Sequence, residues 1–165
     1  EGPNLFLEWF VDQPFEHRLL ILGNHEGRGG QRLAKSPLEK KLQGTEGLTY
    51  IGLESVTING VTFGSSTEDL DVLVTHQPPE GILDQGFSKD WIEIDLESNK
   101  PDSPVKHVGS TGVKLKVERV DPDVHIFGHV HRAYGRTEQD GTTYINCAIA
   151  GEDYEPEHDP VVIDL

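Results

Sequence analysis

Three apolar runs, each ending in residues able to hold a metal or move a proton, constrain this chain more than any other feature. Leu19-Leu20-Ile21-Leu22 leads into Gly23-Asn24-His25-Glu26, Val72-Leu73-Val74 into Thr75-His76-Gln77-Pro78-Pro79, and Val124-His125-Ile126-Phe127 into Gly128-His129-Val130-His131. A short continuous apolar run followed by loop chemistry reads as a buried strand of a parallel sheet. Polar groups gathered at the carboxyl ends of strands are how an open α/β sheet builds an active site. Asn24, His76, His129 and His131 are neutral oxygen and nitrogen donors suited to Mn, Fe or Zn. His25, beside the Asn, is a candidate for proton transfer.

The rest of the chain predicts the elements between these runs. Leu5, Phe6, Trp9 and Phe10 fall on one face of a short amphipathic helix over residues 3–11. Arg18 to Leu22 is the first strand, and Ser36-Pro37 with Glu39 marks a helix start. Asn59-Gly60 and Asp140-Gly141, each between β-type runs, predict two hairpins with tight two-residue turns. Residues 80–108, with Pro101, Pro104 and many charges, read as a long surface loop. Gly109-Ser110 caps a helix over 111–120 with Val113, Val117 and Val120 on one face, and Asp121-Pro122 ends it. Val161–Leu165 reads as a last strand. The pattern is α/β with two appended hairpins.

Composition narrows the function classes. At 165 residues one domain is expected. A net charge of −15 argues against nucleic acid polymers and anionic membranes as partners, because phosphate backbones demand clustered Lys and Arg. Basic residues near the motifs are scarce, with Arg28, Arg32 and Arg132 the candidates, which fits a small substrate better than a polymer. A single Cys, Cys147, excludes an intrachain disulfide and points to a reducing, cytoplasmic compartment. No run approaches the roughly 20 apolar residues of a membrane span.

Taken singly, each motif is weak evidence. Two His two apart on an extended segment point to opposite sides, and only a curved loop aims both at one place. A strand-end His is often a satisfied structural group, and Asn-His alone reads as a turn. His17 and His158 are expected at the surface and His125 packed within its strand. His107 is expected at a loop or helix start, and Cys147 buried and inert.

Taken in order, the motifs resemble the calcineurin-like metallophosphoesterase superfamily, which carries G-N-H-[DE], then a strand-end His, then G-H-x-H. Thr75–Pro79, His107-Val108-Gly109, His125–Gly135 and Thr142–Cys147 followed by Ala148 resemble its small MPPED-like (UPF0046-like) branch. The likeness covers nearly the whole chain except roughly residues 84–106, which read as a surface insertion. The resemblance implies an α/β, metallophosphoesterase-like β-sandwich flanked by helices, forming a single domain over 1–165. It implies two divalent transition-metal ions (Mn, Fe or Zn), with Asn24, His76 and His129 on the second, His131 on the first, and His25 as proton donor. It also implies hydrolysis of a small phosphoester, a phosphodiester foremost, by metal-activated water.

Two further family motifs, Asp-x-His and Gly-Asp-x-x-Asp, have no counterpart ahead of Asn24, and the chain contains no Met and starts with Glu1. The expectation is an N-terminally incomplete domain whose first strand is missing and whose own activity is poor. The alternative is a non-catalytic domain of this type that binds a metal, a nucleotide or a protein.

Overall fold

The computed structural model describes residues 2–24, 41–52, 54–87 and 105–165. His25, Arg28, Arg32, the helix start at Ser36-Pro37 and most of the 84–106 segment lie outside the described residues.

The sheet that positions the motifs has six strands. In chain order the elements are α1 (Gly2–Val11), β1 (Leu19–Leu20), β2 (Thr49–Tyr50), β3 (Val56–Ile58), β4 (Val61–Gly64), β5 (Val72–Val74), β6 (Gln85–Phe87), β7 (Val105–His107), α2 (Thr111–Val120), β8 (Val124–Phe127), β9 (Gly135–Gln139) and β10 (Thr142–Asn146). The large sheet runs β3-β4-β5-β8-β10-β9; β1-β2 and β6-β7 form two-stranded sheets. Its centre, β4-β5-β8-β10, is parallel, and each edge is closed by an antiparallel hairpin partner. Both hairpin turns take the expected form, with positive φ at Asn59 and Gly60 and at Asp140 and Gly141.

Each face of this sheet has its own core. Leu73, Phe127 and Tyr144 face α2 and meet Val117, with Val113 and Val120 beside it. Val72, Val124 and Ile145 point the other way, with Phe63, Ile126 and Ile163 packed on them. Each fully buried aliphatic contributes about 1.5–3 kcal/mol, and β5, β8 and β10 supply residues to both cores. Ser110 caps α2 by accepting the Val113 N–H at 3.3 Å. Asp121, at φ 50, ends it by returning its own N–H to Val117.

Three expectations need correction. The apolar stripe of α1 is not buried: Leu5 is 62%, Phe6 43% and Trp9 57% exposed, and the side chain turned inward is Leu7. Among the described residues Val161–Leu165 joins no ladder; Ile163 seats on the core, and Val162 stands out in solvent. Alternation marks a chain able to pair, but pairing needs an available edge. Residues 80–108 are not simply surface loop. Ile82 and Leu83 pack under α2, Asp84 is fully buried, and β6 pairs antiparallel with β7 through Gln85↔His107. Gly and Pro hid this packing from a reading based on periodicity. Among the described residues no helix is long and apolar enough to cross a membrane.

Candidate metal centre

Parallel pairing sets β5 and β8 side by side in register, Val74 opposite Ile126, so the residues after both strands emerge at the same sheet end. His76 accepts the Gly128 N–H on its carbonyl at 3.1 Å, which binds the two loops together. Pro78 and Pro79 are buried behind His76 and limit its backbone. Thr75 donates its hydroxyl to the Gln77 carbonyl at 2.7 Å and shapes the same turn.

At this end Asn24, His76 and His129 come together. His76 Nε2–H donates to Asn24 Oδ1 at 2.6 Å, and the His76 and His129 rings lie 4.8 Å apart. Asn24 is exposed and the two rings are half-buried. The Asn24–His76 contact is a hydrogen bond, so an ion shared by the two displaces the Nε2 proton and takes its place between them. The donor chemistry, one amide oxygen and imidazoles, fits a borderline divalent ion. It includes no carboxylate, and among the described residues no three His, Cys, Asp or Glu side chains group as an ion site.

The curvature that His-x-His requires is supplied at His129. Its φ is 70, and Val130 N–H reaches back to the Gly128 carbonyl at 2.8 Å. This three-residue turn with positive φ is rare and strained for a residue with a side chain. It breaks the strand alternation, and residues 131–133 follow as one 3₁₀ turn. His131 is turned to a different neighbourhood: Nδ1 bonds the Gly151 carbonyl at 2.7 Å, and the ring meets Tyr154 edge-on at 5.0 Å. An Nδ1–H given to a carbonyl leaves Nε2 as the free donor, the arrangement usual for a ligating histidine. Arg132 pairs with Glu152 at 3.6 Å.

The remaining histidines divide. His125 is fully buried, donates Nε2–H to Thr75 Oγ1 at 2.8 Å, and leaves Nδ1 with no partner. Burial, helped by the Lys116 charge, lowers its pKa to about 3. It is packed, as its strand position predicts. His107 has a fixed partner that the sequence does not reveal: its Nδ1 lies 2.6 Å from Asp84 Oδ1. The other Asp84 oxygen accepts the N–H groups of Gly81 (2.8 Å) and Gly109 (3.0 Å). The hydrogen bond and charge of Asp84 raise the His107 pKa. A Cβ on Gly109 would sit 2.5 Å from the Pro79 carbonyl oxygen, so this closure requires glycine. His158, expected at the surface, is half-buried and stacks on Tyr134 at 4.2 Å. Cys147 gives its thiol to the Phe127 carbonyl, and burial raises its pKa.

A cavity of about 480 Å³ opens beside Asn24 and His76, walled by Ile21, Leu22, Tyr50, Gln77, Val113 and Lys116. That volume lies within the range of small-molecule sites.

The chain is similar to known proteins along most of its length. The model of the calcineurin-like phosphoesterase family matches residues 3–133. Metallophosphoesterase domain-containing protein 1 of Homo sapiens is 27% identical over 205 residues, covering 97% of this chain and 58% of that protein. A UPF0046 protein of Caenorhabditis elegans is 28% identical over 191 residues, covering 95% of this chain and 60% of that protein. The chain thus spans about three fifths of the length of these relatives. A second UPF0046 protein of that organism is 35% identical over 97 residues, or 58% of this chain.

Proposed function

Because the chain belongs to the calcineurin-like phosphoesterase family, we propose that it hydrolyses small phosphoesters, phosphodiesters foremost, using divalent metal held by Asn24, His76, His129 and His131. The observation that carries this reading is the meeting of Asn24, His76 and His129 from three strand ends far apart in sequence. The commitment of His131 Nδ1 to the Gly151 carbonyl supports a ligating Nε2. When bound, Mn, Fe or Zn supplies neutralisation of phosphoryl charge and acidification of the attacking water.

The chain's own residues do the rest. The linked His76 and Gly128 loops orient the rings. The cavity beside Asn24 and His76 receives the ester group, with Lys116 on its wall to face an anion. His25, beside Asn24, gives its proton to the leaving oxygen. The four named donors are neutral, and without a carboxylate such a set holds a divalent ion weakly, so turnover by these residues alone is low. That same donor poverty among the described residues favours one other reading, a non-catalytic domain that binds a metal, a nucleotide or a protein.

The test is hydrolysis of bis-p-nitrophenyl phosphate and of an alkyl phosphodiester with Mn²⁺, with bound metal assayed alongside. His76→Ala should lose metal and both activities. His25→Ala should keep metal and slow the alkyl ester about 10²–10⁴-fold, and the aryl ester less, because nitrophenolate leaves without help. Metal-independent turnover rejects the metal-dependent mechanism, and no turnover with metal bound rejects the hydrolase reading.

A further inference from the structure

We propose that Asn146 is a positioning residue that holds the strained turn of the histidine loop in its working shape. It rests on the reading of His129 and His131 as metal donors. Asn146 ends β10, opposite Phe127 of β8, and is fully buried. Both amide hydrogens and the amide oxygen are engaged. Nδ2 donates to the Val130 carbonyl at 2.9 Å and to the Leu83 carbonyl at 3.2 Å, and Oδ1 accepts the Ala148 N–H at 3.1 Å.

Val130 is the residue between the two histidines. Its carbonyl also accepts the Ala133 N–H at 3.2 Å, so it anchors the 3₁₀ turn that carries His131. On its other side stands His129 at φ 70, a strained conformation that persists only when the surroundings hold it. Asn146 is that hold. The same amide ties in the 79–84 turn through Leu83, and Gly86 then lies close under Val130, where a Cβ would sit 3.3 Å from its side chain. A buried side chain thus joins the turn after His76 to the loop bearing His129 and His131. It contributes geometry and no ligand atom.

The experiment compares the full chain with Asn146→Asp, which keeps the acceptor and removes both donations. Asn146→Ser serves as a milder variant should Asp not fold. The control is Thr142→Val, which removes a buried hydrogen bond to the Pro122 carbonyl at the far end of the same strand. Amide hydrogen exchange is read at residues 130–133 and at β8, without metal, and Zn²⁺ affinity is measured separately. The expected result is at least tenfold faster exchange at 130–133 than any change at β8, with at least tenfold weaker Zn²⁺ binding, in the Asn146 variants only. Equal acceleration of loop and strand, or the same loop effect from Thr142→Val, overturns the inference. Selective loop exchange in a chain whose wild type takes up no Zn²⁺ sustains the positioning role and rejects the metal reading instead.

Discussion

Helices α1 and α2 each span ten residues, and they use their apolar residues in opposite ways. α1 presents Leu5, Phe6 and Trp9 to solvent, with Phe6 and Phe10 stacked on each other at 5.4 Å. α2 is mostly polar, yet Val113, Val117 and Val120 all meet the core. The difference lies in what each helix has beside it. α2 connects β5 to β8, parallel neighbours, so it is carried back across the sheet face. α1 precedes β1, whose ladder among the described residues is with β2. Periodicity therefore reports that a stripe exists; topology decides whether anything covers it.

Substitution at the two places should separate them most strongly. Phe127→Ala, under α2, is expected to cost about 3–5 kcal/mol, whereas Trp9→Ala should stay within about 1 kcal/mol. Urea unfolding measures both. Equal losses would mean that the α1 stripe is covered in solution.

The next effect is an acid slope arising on the α2 face. His125 has a folded value of about 3 against 6.5 for the free ring. Between these values the unfolded chain binds the extra proton, so stability rises with pH. The contribution is complete above 6.5 and is lost as pH falls toward 3, at up to about 1.4 kcal/mol per pH unit. His125→Gln should flatten that slope in urea midpoints measured across this range. His107 works in the opposite sense. Its value is raised by Asp84, so its contribution is present below 6.5 and lost as pH rises through the folded value.

Smaller effects test how α2 is begun and ended. Ser110→Ala should cost about 1 kcal/mol through the lost cap. Asp121→Gly should gain about 0.5 kcal/mol, since glycine meets no side-chain penalty in the left-handed region. Thermal melts resolve both, and a loss at Asp121→Gly would mean that the Asp side chain has a role beyond its backbone angle.

The parts legible in the sequence were those whose cause is local. Asn59-Gly60 and Asp140-Gly141 encode their turns, Ser110 its cap, and the valines of α2 their face. The meeting of His76 and His129 was legible because each follows an apolar strand, and neighbouring parallel strands bring their ends together; Asn24 also follows an apolar run, but its strand lies in a separate two-stranded sheet. What stayed hidden depends on contacts distant in sequence. Asp84 is an ordinary loop acid until His107, Gly81 and Gly109 close around it. Asn146 looks like the polar end of a strand until its amide meets Val130 and Leu83. The positive φ of His129 has no signature beyond the Gly before it.

The central claim is that one end of this sheet holds a metal through histidines of two neighbouring loops. Titration of the ¹⁵N-labelled chain with Zn²⁺, read at the ring nitrogens of its eight histidines, tests it most directly. The account predicts coordination shifts at His76, His129 and His131, and none at His125 or His107. Shifts at His107 first, or uniform small changes at every exposed ring, would contradict it.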